Sequence, residues 1–214
     1  MRIFPALIVA AAALSLGACG TTRSLPAYER PLAKAEFQQV RTTAYTHTEA
    51  DHTQYGNRTA LGGVLHAAPR PSVPRAIPVA QPVFRGPDSG YQQIAYVRPQ
   101  PFQSDRLSQQ IYGSAAADWA RWPAGTIFRV ISTGQLYRVE DYGWALAGRN
   151  TIDLYMATPR DMNGWGVRQE TIQVVEWGDR EASLRKLAGH TKYRHIKRMV
   201  LELEGRERAA ANLD

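Results

Sequence analysis

Residues 137–155 read YRVEDYGWALAGRNTIDLY and place two carboxylates on opposite sides of a glycine-containing turn. Both flanks of the turn have the β-branched and aromatic content that is typical of strands. We therefore expect Asp141 at the end of one strand and Asp153 within the next. The glycines between them allow tight turns that a residue with a Cβ resists. This stretch is predicted to bring the two acids together.

Short strand-like segments recur on both sides of this stretch. Residues 127–131 and 136–139 are joined by Ser-Thr-Gly-Gln, which predicts a β-hairpin. The pattern also predicts a strand at 40–45, regular structure at 109–113 and a strand at 171–177. A short helix is predicted at 158–162, with Thr158 as its cap and Pro159 at its first position. Several short strands, many turns and few internal helices predict a mainly β fold, a small barrel.

The chain of 214 residues is long enough for one domain of ordinary size with appendages. The predicted organisation is a signal peptide at 1–18, a tether at 19–36, a barrel domain at 37–178 with a proline-rich insertion at about 66–103, and a helical tail at 179–214. Proline has no backbone donor and is excluded from the interior of a sheet, so the insertion is expected on the surface, with one strand at 93–97.

The first residues predict export. A short positive start and an apolar run at 4–16 precede Leu16-Gly17-Ala18-Cys19, which resembles the lipobox of bacterial lipoproteins. Lipidation is therefore expected at Cys19, and because this is the single cysteine, no disulfide framework or cysteine metal site exists. Gly20 stands where an aspartate would retain a lipoprotein at the inner membrane, so we expect an outer-membrane anchor facing the periplasm. An uncleaved anchor helix and an ordinary secretory signal are the alternatives.

The chain is strongly basic, with a formal net charge of +7. Export argues against nucleic acid as the partner and favours lipid headgroups or an anionic cell-wall polymer. In the tail, apolar residues recur at helical spacing and basic residues crowd the same helix. The apolar set is Ile196, Met199, Val200 and Leu203, and the basic set is Lys192, Arg194, Lys197 and Arg198. The helix either packs on the barrel with a solvated basic face or contacts anionic lipid or cell wall.

The loop that follows the first strand contains His47, Glu49, Asp51 and His52. These residue types bind metals, but their crowded spacing matches no recognised ligand pattern. A solvated loop is the preferred interpretation, and we predict no metal and no cofactor.

Four segments together resemble one known family. They are TTAYT at 42–46, TALGG at 59–63, AADWARWPAGT at 116–126 and EDYGWALAGRNTIDLY at 140–155. They resemble the 3D domain, named for three aspartates, over residues 38–65 and 109–178. That family is a six-stranded double-psi β-barrel found in cell-wall proteins, including lytic transglycosylases. The resemblance implies activity on the glycan strands of peptidoglycan.

The resemblance also implies site residues. Asp118, Asp141 and Asp153 match the three aspartates, and Asp153 matches the catalytic acid/base of the transglycosylase. Thr43 and Tyr45 match groove-lining positions. A carboxyl group donates a proton near neutrality when its pKa is raised, and a second carboxylate nearby has that effect. We therefore expect Asp141 to tune Asp153 and Asp118 to act as a structural hydrogen-bond acceptor.

Two departures from the family pattern leave alternatives open. Tyr142 and Trp144 flank Gly143 where the family has two glycines, and their rings either stack on a sugar or fill the barrel mouth. Trp119 and Trp122 are either packing residues or glycan contacts.

The larger domain that completes the substrate groove of the transglycosylase has no counterpart. The alternative to glycan cleavage is a noncatalytic lipoprotein that binds peptidoglycan, in which the aspartates cap turns.

Overall fold

The computed structural model describes residues 24–49, 52–69 and 112–213. Within these ranges the chain forms six β-strands and four α-helices. The strands are β1 (Phe37–Tyr45), β2 (Gly113–Ala117), β3 (Ile127–Val130), β4 (Leu136–Asp141), β5 (Thr151–Tyr155) and β6 (Arg168–Glu176). The helices are α1 (Pro159–Trp165), α2 (Arg180–Ala188), α3 (Arg194–Leu203) and α4 (Glu207–Ala211). The predicted mainly β class is confirmed.

The described strands form one mixed sheet that closes on itself. They are paired in the order β1-β5-β2-β4-β3-β6, and β6 returns to β1, which gives a closed barrel. The pairs β1–β5 and β2–β4 are parallel, and the other four pairs are antiparallel. Closure leaves no free edge for pairing with another chain.

Alternation along the strands fills the barrel. In β5, Ile152 and Leu154 are fully buried, whereas Asp153 between them is half-buried and points to the outer face. The fully buried rings of Trp119 and Trp122 belong to the same core. A second, smaller cluster lies on the outer face and consists of Tyr45, Leu65, Ala116, Leu146 and Tyr155.

A β-bulge interrupts this alternation at the end of β4. Ala115 pairs with Val139, but the next residue of β2, Ala116, pairs with Asp141, so Glu140 is the extra residue. Strict alternation from the buried Val139 would direct Asp141 into the barrel. The bulge shifts the register by one residue and places Asp141 beside Ala116 on the outer face.

Several local predictions are confirmed. β3 and β4 form the predicted hairpin. Thr158 caps α1 by accepting a hydrogen bond from the backbone N–H of Asp161, with Pro159 at the first helical position. β2 spans Gly113–Ala117, which the sequence did not predict as a strand, and most of the regular structure predicted at 109–113 lies outside the described residues. Its small side chains lack the β-branched pattern by which strands are recognised.

Part of the predicted tether belongs to the folded unit. The Glu29 backbone N–H donates to the Gly148 carbonyl, and the Glu29 carboxylate accepts from the Asn150 N–H at 2.7 Å and pairs with Arg41 at 3.1 Å. The interpretation of residues 19–36 as a free tether is therefore wrong for this part. Short polar segments with prolines do not reveal such contacts when only the sequence is read.

The tail packs on the barrel along the predicted apolar stripe, whose four residues are all buried. The prediction that Arg198 belongs to a solvated basic face is wrong. It is 3% exposed, and its guanidinium donates to the carbonyls of Pro26, Ala147 and Leu213. Lys192, Arg194 and Lys197 are exposed.

Some predictions fall outside the described residues. These are the signal peptide, Cys19, Asp51, the strand at 93–97 and most of the proline-rich insertion. In the part of the chain that the structure describes, no helix combines the length and apolar character needed to span a bilayer.

Candidate functional site

Four neighbouring strands carry a row of residues across the outer face of the barrel. The β4 residue Asp141 pairs with Ala116 of β2, Ala116 pairs with Asp153 of β5, and Asp153 pairs with Thr43 of β1. We call this row the acid ladder. Adjacent strands lie about 4.8 Å apart, so the Cα atoms of the two aspartates are about 10 Å apart. The methyl group of Ala116 leaves space between the two carboxyl groups.

Asp141 is the more buried of the two ladder acids, with 9% of its surface exposed. Its Oδ1 accepts from the backbone N–H of Tyr142 at 2.9 Å, and the N–H of Ala60 also donates to the carboxylate. Burial raises the pKa of Asp141 to about 6 against these hydrogen bonds, and the adjacent Glu140 raises it further. Asp141 therefore holds a proton in mildly acidic solution, as a general acid must.

Asp153 is half-buried and is held by its ladder neighbour. The hydroxyl of Thr43 donates to Asp153 Oδ1 at 2.8 Å. A donated hydrogen bond favours the ionised form of a carboxyl group. The pKa of Asp141 is raised mainly by the burial of Asp141 itself. That Asp141 tunes Asp153 therefore remains a prediction.

Tyr45 lies beside both ladder acids. It is 7% exposed, and its hydroxyl has no hydrogen-bond partner among the described residues. Burial raises the pKa of this hydroxyl, and the carboxylates of Asp141 and Asp153 raise it further. The ring packs edge-on against Tyr155 at 5.6 Å. The predicted site residues Thr43, Tyr45, Asp141 and Asp153 are thus brought together.

Asp118 lies apart from the ladder. It is fully buried directly after β2, where Oδ1 accepts from the Ala120 N–H at 2.8 Å and Oδ2 accepts from the Gly148 N–H at 2.5 Å. Burial raises its pKa, opposed by the Arg121 guanidinium 3.9 Å away. Asp118 joins the loop after β2 to the loop before β5. Its expected role as a structural hydrogen-bond acceptor agrees with this geometry.

The two aromatic residues after Asp141 differ in their surroundings. Tyr142 packs edge-on against Trp119 at 4.9 Å and is half-buried, so part of its ring faces solvent. Trp144 begins a short 3₁₀ turn, Trp144–Leu146, and is also half-buried. Trp119 and Trp122 are packing residues, because 0% and 1% of their surfaces are exposed.

The loop after β1 contributes residues that the sequence did not identify as part of the site. His47 Nδ1 lies 2.7 Å from the Tyr155 hydroxyl, and the His52 ring lies 5.3 Å from that of Tyr45. The loop is therefore not simply solvated. Within the described ranges, which exclude Asp51, no group of three or more possible ligands gathers to hold a metal ion. The close spacing of His47, His52 and Tyr55 in this loop was the feature of the sequence that could have identified it as part of the site.

Two cavities beside the described barrel lie away from the ladder. One of about 200 Å³ lies beside Arg121 and Glu202, and another of about 440 Å³ lies beside Tyr137 and Trp165. No ladder residue lines either of them. Within the ladder, Asp153 and Thr43 are half-buried whereas Asp141 and Ala116 are buried, so a ligand would reach the acids from the side of β1 and β5.

Comparison with known proteins adds no relative: no family model matches the chain, and no curated protein matches its sequence.

Proposed function

We propose that this protein acts on the glycan strands of peptidoglycan and cleaves them as a lytic transglycosylase. The single observation that carries the proposal is the acid ladder, in which a β-bulge places Asp141, with its pKa of about 6, on the same outer face as Asp153. The resemblance to the 3D domain supplies the substrate class. The two parallel pairs within the closed six-stranded sheet support a double-psi arrangement.

Cleavage would use the two ladder acids on either side of the scissile bond. Asp141 donates its proton to the glycosidic oxygen as the bond from that oxygen to the anomeric carbon breaks. The 6-hydroxyl oxygen of the muramic acid residue forms the new bond to the anomeric carbon, and its proton passes to Asp153. This proposal differs from the expectation based on the sequence, in which Asp153 alone was the acid/base and Asp141 tuned it: here Asp141 donates the proton and Asp153 accepts one. Thr43 orients Asp153 through the hydrogen bond to Oδ1.

Noncatalytic binding of peptidoglycan is the second candidate. The observation that favours it is that no ladder residue lines either of the two cavities, because a closed site excludes water and strengthens electrostatic catalysis. In this alternative the acids and the surrounding rings hold a glycan without cleaving it.

We also propose the cellular location from the sequence. Residues 1–18 act as a signal peptide, and lipid on Cys19 anchors the protein in the outer membrane, facing the periplasm. Several acyl chains make such attachment stable, since each buried methylene contributes about 0.8 kcal/mol. Recovery of the protein in inner-membrane fractions after density separation would refute this location.

The proposed reaction is tested with full-length protein in detergent and purified sacculi. Mass spectrometry of the supernatant should show anhydro-muropeptides, and Asp153→Asn and Asp141→Asn should each abolish them. Asp161→Asn, a change of the same kind at an exposed position of α1, serves as the control. Sacculi that bind the protein and release nothing would establish the noncatalytic alternative. Undiminished cleavage by Asp153→Asn would refute the assigned role of that residue.

A further inference from the structure

The turn between α2 and α3 approaches the site from the tail. The ring of His195 lies 6.2 Å from that of Tyr142 and 6.0 Å from that of Tyr193. Tyr142 directly follows the ladder acid Asp141. The start of the tail helix α3 therefore extends the row of side chains that starts at the ladder.

Two exposed tyrosine rings belong to the same region as Tyr142. Tyr193 is 49% exposed and Tyr55, from the loop after β1, is 61% exposed. Both hydroxyls act electrostatically on Tyr142, which places them near it. Exposed aromatic rings that are grouped are typical of surfaces that contact a ligand or partner. The apolar C–H face of a pyranose ring is a ligand that such rings accept.

The charge on this side of the molecule is positive. The Lys192 ammonium lies 5.0 Å from the centre of the Tyr193 ring, and Arg194 and Lys197 are exposed on the same turn and helix. Burial lowers the pKa of His195, so this ring stays neutral near pH 7. Aromatic rings can stack on the sugars of a polymer, and cations beside the rings can pair with its carboxylates.

We propose that Tyr142, His195 and Tyr193, together with Lys192, form a second saccharide subsite that binds carboxylate-bearing sugars of the same glycan strand beyond the acid ladder. This subsite rests on the proposed function and adds a second contact surface for the strand beside the ladder. Sugar rings stack on Tyr142 and Tyr193, and Lys192 pairs with a carboxylate of the strand. A glycan too short to pass beyond the ladder does not reach it.

The test measures binding of full-length protein to labelled peptidoglycan glycans of two lengths, a disaccharide and a long strand, at low temperature in an Asp153→Asn background. Removal of one aromatic stacking partner should lower the affinity for the glycan about three- to tenfold. Tyr193→Ala should show that loss for the long strand and none for the disaccharide. Tyr193→Phe keeps the ring and should bind within twofold of the parent. Phe37→Ala removes a ring that is 55% exposed elsewhere and is the matched control.

Each outcome has a distinct meaning. If the parent protein binds long strands and Tyr193→Ala binds them equally well, the subsite is refuted while the proposed function stands. If the parent binds no glycan and the wild type cleaves none, the proposed function fails and the subsite fails with it. Vesicles of phosphatidylcholine with phosphatidylglycerol test the lipid alternative. A Lys192→Ala variant that loses vesicle binding and keeps long-strand binding would overturn the subsite in favour of a membrane contact.

Discussion

Replacement of Asp141 by asparagine should stabilise the protein at alkaline pH. The carboxyl group is almost fully buried, and burial raises its pKa from 3.8 to about 6. Each pKa unit corresponds to about 1.4 kcal/mol, so above pH 6 the ionised group lowers the free energy of unfolding by about 3 kcal/mol. Asparagine removes the charge and keeps an oxygen that accepts from the Tyr142 N–H, but it leaves the second donor, the Ala60 N–H, without an acceptor, which costs about 1–3 kcal/mol at every pH. For a domain of this size the pH-dependent contribution of about 3 kcal/mol corresponds to about 6–12 °C in Tm.

The sign of the effect must change with pH in a defined way. Because the pKa of Asp141 is raised on folding, the destabilisation is full above about pH 6 and disappears as pH falls towards 3.8, the value of the unfolded chain. The difference in Tm between Asp141→Asn and wild type should therefore favour the variant at pH 8 and favour the wild type at pH 4, where only the lost hydrogen bond remains, with a total change of about 6–12 °C. Other titrating groups are common to both proteins and cancel in the difference.

Thermal unfolding followed by circular dichroism at pH 4, 6 and 8 measures this difference. A constant difference across that pH range would show that Asp141 does not carry the buried charge that we assign to it. A less stable variant at pH 8 would show that the ionised form is stabilised by its hydrogen bonds more than it is disfavoured by burial.

Three further predictions concern the other acids and the reaction. Asp118→Asn should lower the free energy of unfolding by about 1–3 kcal/mol in denaturant titrations, because an amide leaves one of the two buried N–H donors without an acceptor. Glu29→Gln should lower the free energy of unfolding by less than about 1 kcal/mol, since the ion pairs of Glu29 are partly exposed, and should increase proteolysis near residue 29. The pKa of Glu29 is lowered on folding, so the stability that its carboxylate contributes is present near neutral pH and is lost as pH falls below 4.5. Cleavage of sacculi should decline as pH rises through about 6, because Asp141 then loses its proton; an undiminished rate up to pH 8 would contradict the assignment of Asp141 as the acid.

The elements that the sequence predicted well are those with local causes. The β3–β4 hairpin follows from turn residues between two β-branched segments, and α1 follows from a threonine cap and a proline. The position of Asp153 within β5 follows from alternation alone, with Ile152 and Leu154 on the buried side. In each case the residues that specify the structure are neighbours in the chain.

The elements that were missed depend on contacts between distant residues. β2 contains glycine, serine and alanine, and it is a strand because β4 and β5 pair with it on either side. Arg198 is buried because carbonyls from residues 26, 147 and 213 converge on its guanidinium. The contribution of Tyr193 to the site depends on how the tail returns to the barrel. A hydrophobic pattern does not specify any of these pairings.

The two buried aspartates show how one residue type serves two purposes. Asp118 has no exposed surface and is surrounded by two N–H donors and the Arg121 guanidinium, so its negative charge is compensated within the fold. Asp141 is nearly as buried, but among the described residues no cation pairs with it, and its pKa is about 6. A fold selected for stability alone would replace such a group, because a neutral side chain removes the cost. The bulge at Glu140 is a second departure from regular structure at the same place, and it serves to direct this carboxyl to the outer face. Since both departures place a protonated acid beside Asp153 and Tyr45 on the outer face and neither strengthens the sheet, they support chemistry at the ladder over a purely structural role for Asp141.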